Sequence, residues 1–189
     1  ATKKVRLNRD DLYKGHIGPL IFEKQAEIIK TQLDDALENG AKILCGGKIV
    51  TESGAWIEPT VIVDVNHKMK LMKEETFGPI MPIMSFDNDE EAVMLANDTD
   101  YGLSASVFSK DLEHAYDVAS KIDAGGISIN DGSLTGLVSD AEKNSFKLSG
   151  MGGSRMGEAG YLRFFRKKSM LLNSGVPYSI DMFDENNST

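Results

Sequence analysis

Residues 104–130 restrict the fold of this chain more than any other stretch. Ser104 to Phe108 is a run of small and β-favouring residues, and Ser109 is placed to cap a helix reaching about Ile122. The inner stripe of that helix would be Leu112, Ala115, Ala119 and Ile122, at three- and four-residue steps. Gly125-Gly126 ends it, and Ile127 to Asn130 is strand-like again. Two strands joined through a helix of this length form a parallel crossover, expected to be right-handed. The prediction is an α/β structure, a mostly parallel sheet flanked by helices.

The rest of the chain extends this pattern. A helix is predicted from about Glu23 to Asn39, with Phe22, Ala26, Ile29, Leu33 and Leu37 on one apolar face and Gly40 at the C-terminal cap. Ala41 to Cys45, Trp56-Ile57 and Thr60 to Val65 read as extended, and Met69 to Lys73 as a short turn or helix. Ile80 to Phe86 reads as a strand in which Pro82 demands an edge position or a bulge. Asp87 or Asn88 caps a helix through Asn97, with Glu90 and Glu91 favourably placed in its first turn. Residues 131–160 carry seven glycines and no sustained apolar period, so they are expected to be irregular, as functional or disordered segments are. One domain is expected over 1–173, followed by a polar tail, 174–189, poorly ordered unless docked on a partner.

At 189 residues the chain is long enough to bury roughly 70% of its unfolded surface. A net charge of -8, from 29 acidic and 21 basic residues, argues against a broad nucleic-acid surface. No window approaches the ~20 apolar residues of a membrane span. The polar, basic start is not a secretory signal. A single cysteine excludes an internal disulfide and suits a reducing cytoplasm, where the protein is expected to reside. Arg163, Arg166, Lys167 and Lys168 fit either a phosphate-binding patch or, more simply, a solvated helix end.

Glu74-Glu75-Thr76-Phe77-Gly78-Pro79 is the stretch richest in chemistry. A carboxylate and an aromatic ring two residues apart point the same way on extended backbone, a pairing suited to a sugar hydroxyl beside a flat heteroaromatic ring. The plain alternative is a charged turn leading into a buried strand. Cys45 ends an apolar run with no histidine near it in sequence and reads as a buried small hydrophobe, not a nucleophile. His16, His67 and His114 have no ligand spacing, so no metal site is expected, and His114 is expected to be solvated. Gly150-Met151-Gly152-Gly153 follows no predicted strand and opens no clear helix, so it lacks the setting of a dinucleotide fingerprint.

In order along the chain, several pieces resemble the C-terminal part of the NAD(P)-dependent aldehyde dehydrogenases. These are Gly18-Pro19, Gly40 to Gly47, Glu58-Pro59-Thr60-Val61, Glu74 to Pro79, Ala96-Asn97 through Tyr101-Gly102-Leu103-Ser104-Ala105, and Gly125 to Asn130. The resemblance implies part of an aldehyde-dehydrogenase-like catalytic domain. The intact enzyme would oxidise an aldehyde to a carboxylic acid with NAD or NADP, through a cysteine thiohemiacetal and thioester. In that family the nucleophile, the general base and the dinucleotide-binding portion lie upstream, and complete members are more than twice as long. This chain therefore holds no catalytic residue by the resemblance and is expected to be inactive alone. Glu75 matches the glutamate that accepts hydrogen bonds from the nicotinamide-side ribose, and Phe77 the aromatic residue beside that ribose and ring. Asn130 and the loop after it resemble the border of the substrate tunnel. The expected partners are an aldehyde substrate, the missing N-terminal portion and further copies of the chain in a homo-oligomer. Two departures stand out. The family's Pro-Phe-Gly-Gly is absent around Phe146, and the spacing from Ser149-Gly150-Met151-Gly152 to Gly157 is expanded. A non-catalytic assembly module of the same fold and a related acyl-phosphate reductase remain the alternatives.

Overall fold

The computed structural model describes residues 1–9, 14–51, 54–153, 156–173 and 175. Its first half is built on helix α1, Lys24–Glu38. Ala26, Ile29, Leu33 and Ala36 form the buried face, whereas Phe22 and Leu37, both expected on it, are exposed. The stripe thus turns by one residue at its C-terminal end, where small Ala36 lies against the core in place of Leu37. Gly40 ends the helix as its position predicts. At φ 98° it donates to Leu37 O while Ala41 donates to Ala36 O, the paired bonds of a left-handed C-terminal cap.

Strands β1 (Lys42–Cys45), β2 (Ile49–Val50), β3 (Trp56–Ile57), β4 (Thr60–Val63) and β5 (Ile80–Ile83) follow. The main sheet has the order β1-β4-β5. β4 and β5 are parallel, with Thr60 opposite Ile80. β1 runs antiparallel to β4, because the chain returns through the β2–β3 ribbon and not through a crossover helix. The sheet is therefore mixed. Pro82 lies on the edge strand β5, one of the two positions its missing N–H allows. Ile29, Leu33 and Ala36 of α1 join Ile57, Ile62, Val65, Met69 and Leu71 in one core. Burial of this set, at roughly 25 cal/mol per Å2 of apolar surface, holds the helix on the sheet.

The second half contains α2 (Asp89–Asn97), β6 (Tyr101–Gly102), β7 (Ser104–Val107), α3 (Leu112–Ser120) and β8 (Gly126–Ile129). β7 and β8 pair in parallel across α3, from Ser104 opposite Gly126 to Val107 opposite Ile129, as the sequence predicts. Ala115 and Ala119 are buried, and their small side chains let α3 lie close on both strands, but Leu112 is exposed. Asn88 caps α2 by accepting from Glu91 N. The cap of α3 is Asp111, not Ser109; Asp111 accepts from His114 N, and the Ser109 hydroxyl, two residues earlier, accepts from Asp111 N.

The stretch 131–160 is less irregular than expected. It holds α4 (Leu134–Leu137), β9 (Phe146–Lys147) and the start of α5 (Gly157–Leu162). β9 pairs antiparallel with β6. Apart from Gly175, the tail after Asn173 lies outside the described residues. No helix among them is long and apolar enough to cross a membrane.

Candidate functional site

Glu74–Pro79 is strung between the two halves of the molecule. On the first-half side, Gln25 Nε2 donates to Thr76 O at 2.6 Å and Gln32 Nε2 to the Glu74 carboxylate at 3.3 Å. Thr60 N donates to Pro79 O at 2.8 Å, where the segment enters β5. On the second-half side Lys73 and His67 both engage Asp98, just beyond α2. Lys73 Nζ donates to Asp98 O at 2.9 Å, and His67 Nδ1 lies 2.6 Å from Asp98 Oδ2. The Lys73 ammonium first, then the His67 ring, holds the Asp98 carboxyl below its ordinary value.

This anchoring leaves Glu75 on one wall of a cleft of about 260 Å3. The facing wall is Tyr101 to Ala105, Ile122 to Ala124 and Ser149. Glu75 is exposed, and among the described residues its carboxylate has no hydrogen-bond or ion-pair partner. Two free acceptor oxygens at the rim of a small cleft are what a vicinal diol requires.

The facing wall is held by bonds that span the chain. Ser149 Oγ accepts from Gly102 N at 2.9 Å, and Leu148 N donates to Asp100 O at 2.9 Å. Lys147 Nζ donates to Asn97 O and Thr99 O and pairs with Asp123 at 3.3 Å. A Cβ on Gly102 would lie 2.7 Å from Asp123 O, so only glycine lets β6 approach this closely. Sequence reasoning gave these wall residues no role. The nearest signal was Gly102 itself, and the pairing with Ser149 is not visible in any local pattern.

Phe77 does not share the cleft. Its backbone is left-handed, φ 44°, so extended alternation fails there, and the ring is 73% exposed outside the cleft lining. Neither Glu75 nor Phe77 is sealed in the core. Asn130 lies apart from both. It follows the C-terminal end of β8, whereas Glu75 faces the start of β7, four residues or ~13 Å away along the strands. Both ends of its amide are engaged, Oδ1 accepting from Ser109 N and Nδ2 donating to Ser109 O, each at 2.9 Å. Next to it, backbone and hydroxyl donors of Ser133, with Leu134 N, hold the Asp131 carboxyl below its ordinary value.

Cys45 is half-buried at the end of edge strand β1, and so is less enclosed than expected, because no strand among the described residues covers β1 on its far side. His114 is exposed, as expected, and its Nε2 lies 2.6 Å from Asp89 Oδ2. Among the described residues no group of three or more His, Cys, Asp or Glu side chains converges as metal ligands would.

Residues 1–170 match the model of the aldehyde dehydrogenase family. Succinate-semialdehyde dehydrogenase (NADP(+)) of Escherichia coli is 39% identical over 165 residues, 86% of this chain and 34% of that protein. The solved structure of a putative aldehyde dehydrogenase from Anabaena variabilis superposes with a TM-score of 0.88 at 50% identity, covering 95% of this chain and 38% of that one. An aldehyde dehydrogenase of Mycobacterium tuberculosis, solved in complex with NAD+, gives 0.83 at 32% identity, covering 94% and 36%. The chain thus spans about a third of the length of the relatives it matches. A match over 170 residues, carrying the same fold as those solved structures, means that the chain belongs to the aldehyde dehydrogenase family.

Proposed function

We propose that residues 1–173 form the C-terminal portion of an aldehyde dehydrogenase catalytic domain, with 174–189 as its polar tail, and that the intact enzyme oxidises an aldehyde to a carboxylic acid using NAD or NADP. The unpartnered Glu75 carboxylate at the rim of the cleft carries this reading. A cleft of about 260 Å3 is smaller than the roughly 300–1,000 Å3 pockets that enclose a whole ligand, and it fits one sugar of a dinucleotide. Glu75 accepts from the two hydroxyls of the nicotinamide-side ribose and so fixes its orientation. Phe77, whose ring stands outside the cleft lining and open to solvent, packs beside that ribose and the nicotinamide ring where they extend beyond the cleft. When bound, the nicotinamide supplies the hydride acceptor. Asn130, locked onto Ser109, orients the loop that borders the substrate tunnel. The chain's one cysteine, Cys45, is not the nucleophile and fits a reducing compartment such as the cytoplasm.

Two measurements test the proposal. The purified 189-residue chain should show no NAD- or NADP-dependent aldehyde oxidation, because nucleophile and base are supplied elsewhere in the enzyme. In the full-length enzyme, Glu75→Gln should weaken equilibrium binding of the dinucleotide by about tenfold, the worth of a hydrogen bond to a charged acceptor, and lower the single-turnover rate. Turnover by the chain alone, or an unchanged Glu75→Gln enzyme, would overturn the proposal.

A further inference from the structure

We infer that helix α1 is the device that positions Glu75: Gln25, Ile29 and Gln32, on one helix face, grip the alternate residues Thr76, Gly78 and Glu74, and this turns Glu75 out towards the cleft. The inference rests on the reading of Glu75 as the ribose acceptor. Positions 25, 29 and 32 are four and three residues apart, so their side chains stack along one face of α1. Gln25 Nε2 takes the Thr76 carbonyl at 2.6 Å, and Gln32 Nε2 takes the Glu74 carboxylate at 3.3 Å. Between these two bonds Ile29, fully buried, packs against Gly78 so closely that a Cβ there would meet Ile29 Cδ1 at 2.5 Å. Gln32 is only 1% exposed although its Oε1 has no partner, so a polar side chain is kept in the core while its other end reaches Glu74. Three contacts from one helix face thus hold Glu74, Thr76 and Gly78, on either side of Glu75 and of the left-handed backbone at Phe77. The helix, itself seated on the sheet core, transmits the rigidity of that core to the Glu75 carboxylate.

The fit at Gly78 supplies a selective test. Gly78→Ala should push the segment off α1, whereas Ile29→Val removes the Cδ1 that the new methyl would strike. The next atom, Ile29 Cγ1, is at 3.6 Å, an ordinary contact distance. In the full-length enzyme, NAD+ and NADP+ dissociation constants measured by titration calorimetry should rise about fivefold or more in Gly78→Ala, the equivalent of one ordinary hydrogen bond. They should return to within about twofold of the original in the Gly78→Ala/Ile29→Val double variant, because the contact, not the extra methyl itself, carries the effect. In a Glu75→Gln background Gly78→Ala should add nothing further. A weak-binding Glu75→Gln enzyme with a normal Gly78→Ala enzyme would overturn the role of α1 and leave that of Glu75 standing. Failure of Ile29→Val to restore binding would do the same. A normal Glu75→Gln enzyme would remove both. If Gly78→Ala does not fold by its melting profile, Gln25→Leu replaces it: it deletes the donor to Thr76 at a half-buried site, and unchanged affinity there overturns the inference.

Discussion

Phe77 and Asn130 share an unusual backbone, φ 44° and 56°, but not its cost. Asparagine tolerates the left-handed region, and both ends of the Asn130 amide are bound there; a bulky aromatic at positive φ is an outlier worth about 1–2 kcal/mol of strain. Phe77 is held in this state by its neighbours, with Thr76 bonded to Gln25 and Pro79 to Thr60. Strain that the surroundings over-determine is characteristic of sites that bind. Phe77→Gly should remove the strain and lose little burial. After about 0.5–1 kcal/mol of added backbone entropy in the unfolded chain, it should be between neutral and about 1 kcal/mol more stable by urea denaturation. Phe77→Ala keeps the strain and should show no gain. Equal losses in the glycine and alanine variants would show that the ring, not the backbone, sets stability here. None of this is legible in the sequence, where Phe77 next to Gly-Pro reads as ordinary extended chain.

Between elements, the His114–Asp89 pair ties α3 to the first turn of α2. Asp89, by hydrogen bond and then by charge, raises the His114 pKa above its ordinary 6.5, with Asp111 and Asp117 adding to the effect. A histidine whose folded pKa lies above its unfolded one stabilises fully below the unfolded value and loses that contribution as pH rises through the folded one. The link should therefore weaken above about pH 6.5, and His114→Gln should flatten the dependence of the melting temperature on pH over that window. An equally steep profile in the variant would assign the dependence to other groups. The elements that carry such links were mostly readable. α1 and the β7–α3–β8 crossover follow from apolar periods of adequate length, and the cap at Gly40 from the one residue free to take its φ. Strands β2, β6 and β9 were not readable, because two residues carry no period; β3, equally short, was read only from its large apolar pair Trp56-Ile57. The antiparallel course of β1 was hidden as well, since it depends on how the chain returns and not on the strand's own residues. The Glu75 cleft was half legible. Its carboxylate stands in a recognisable motif, while the opposite wall is assembled from residues as far apart as Gly102 and Ser149.

On the scale of the molecule, apolar surface is left without cover. Edge strand β5 exposes Met81 and Ile83, and Phe164, Met170, Leu171 and Leu172 are open after α5, with Leu171 at 95%. Large exposed apolar patches are association sites, and the edge of a sheet offers unpaired backbone groups as well. Pro82 removes one donor from the β5 edge, which weakens strand-on-strand pairing but does nothing to cover the side chains on either side of it. The purified chain should therefore form dimers or larger species through its apolar faces, despite a net charge of -8 that opposes close approach. Higher salt screens that repulsion and should shift the distribution to larger species, the opposite of what a salt-bridged interface would do. Ile83→Lys, which puts a charge on the open strand while leaving its pairing with β4 intact, should shift it towards monomer. Light scattering at increasing protein concentration measures both shifts, and a monomer at all concentrations and salts would mean that these side chains are too dispersed to act as one surface.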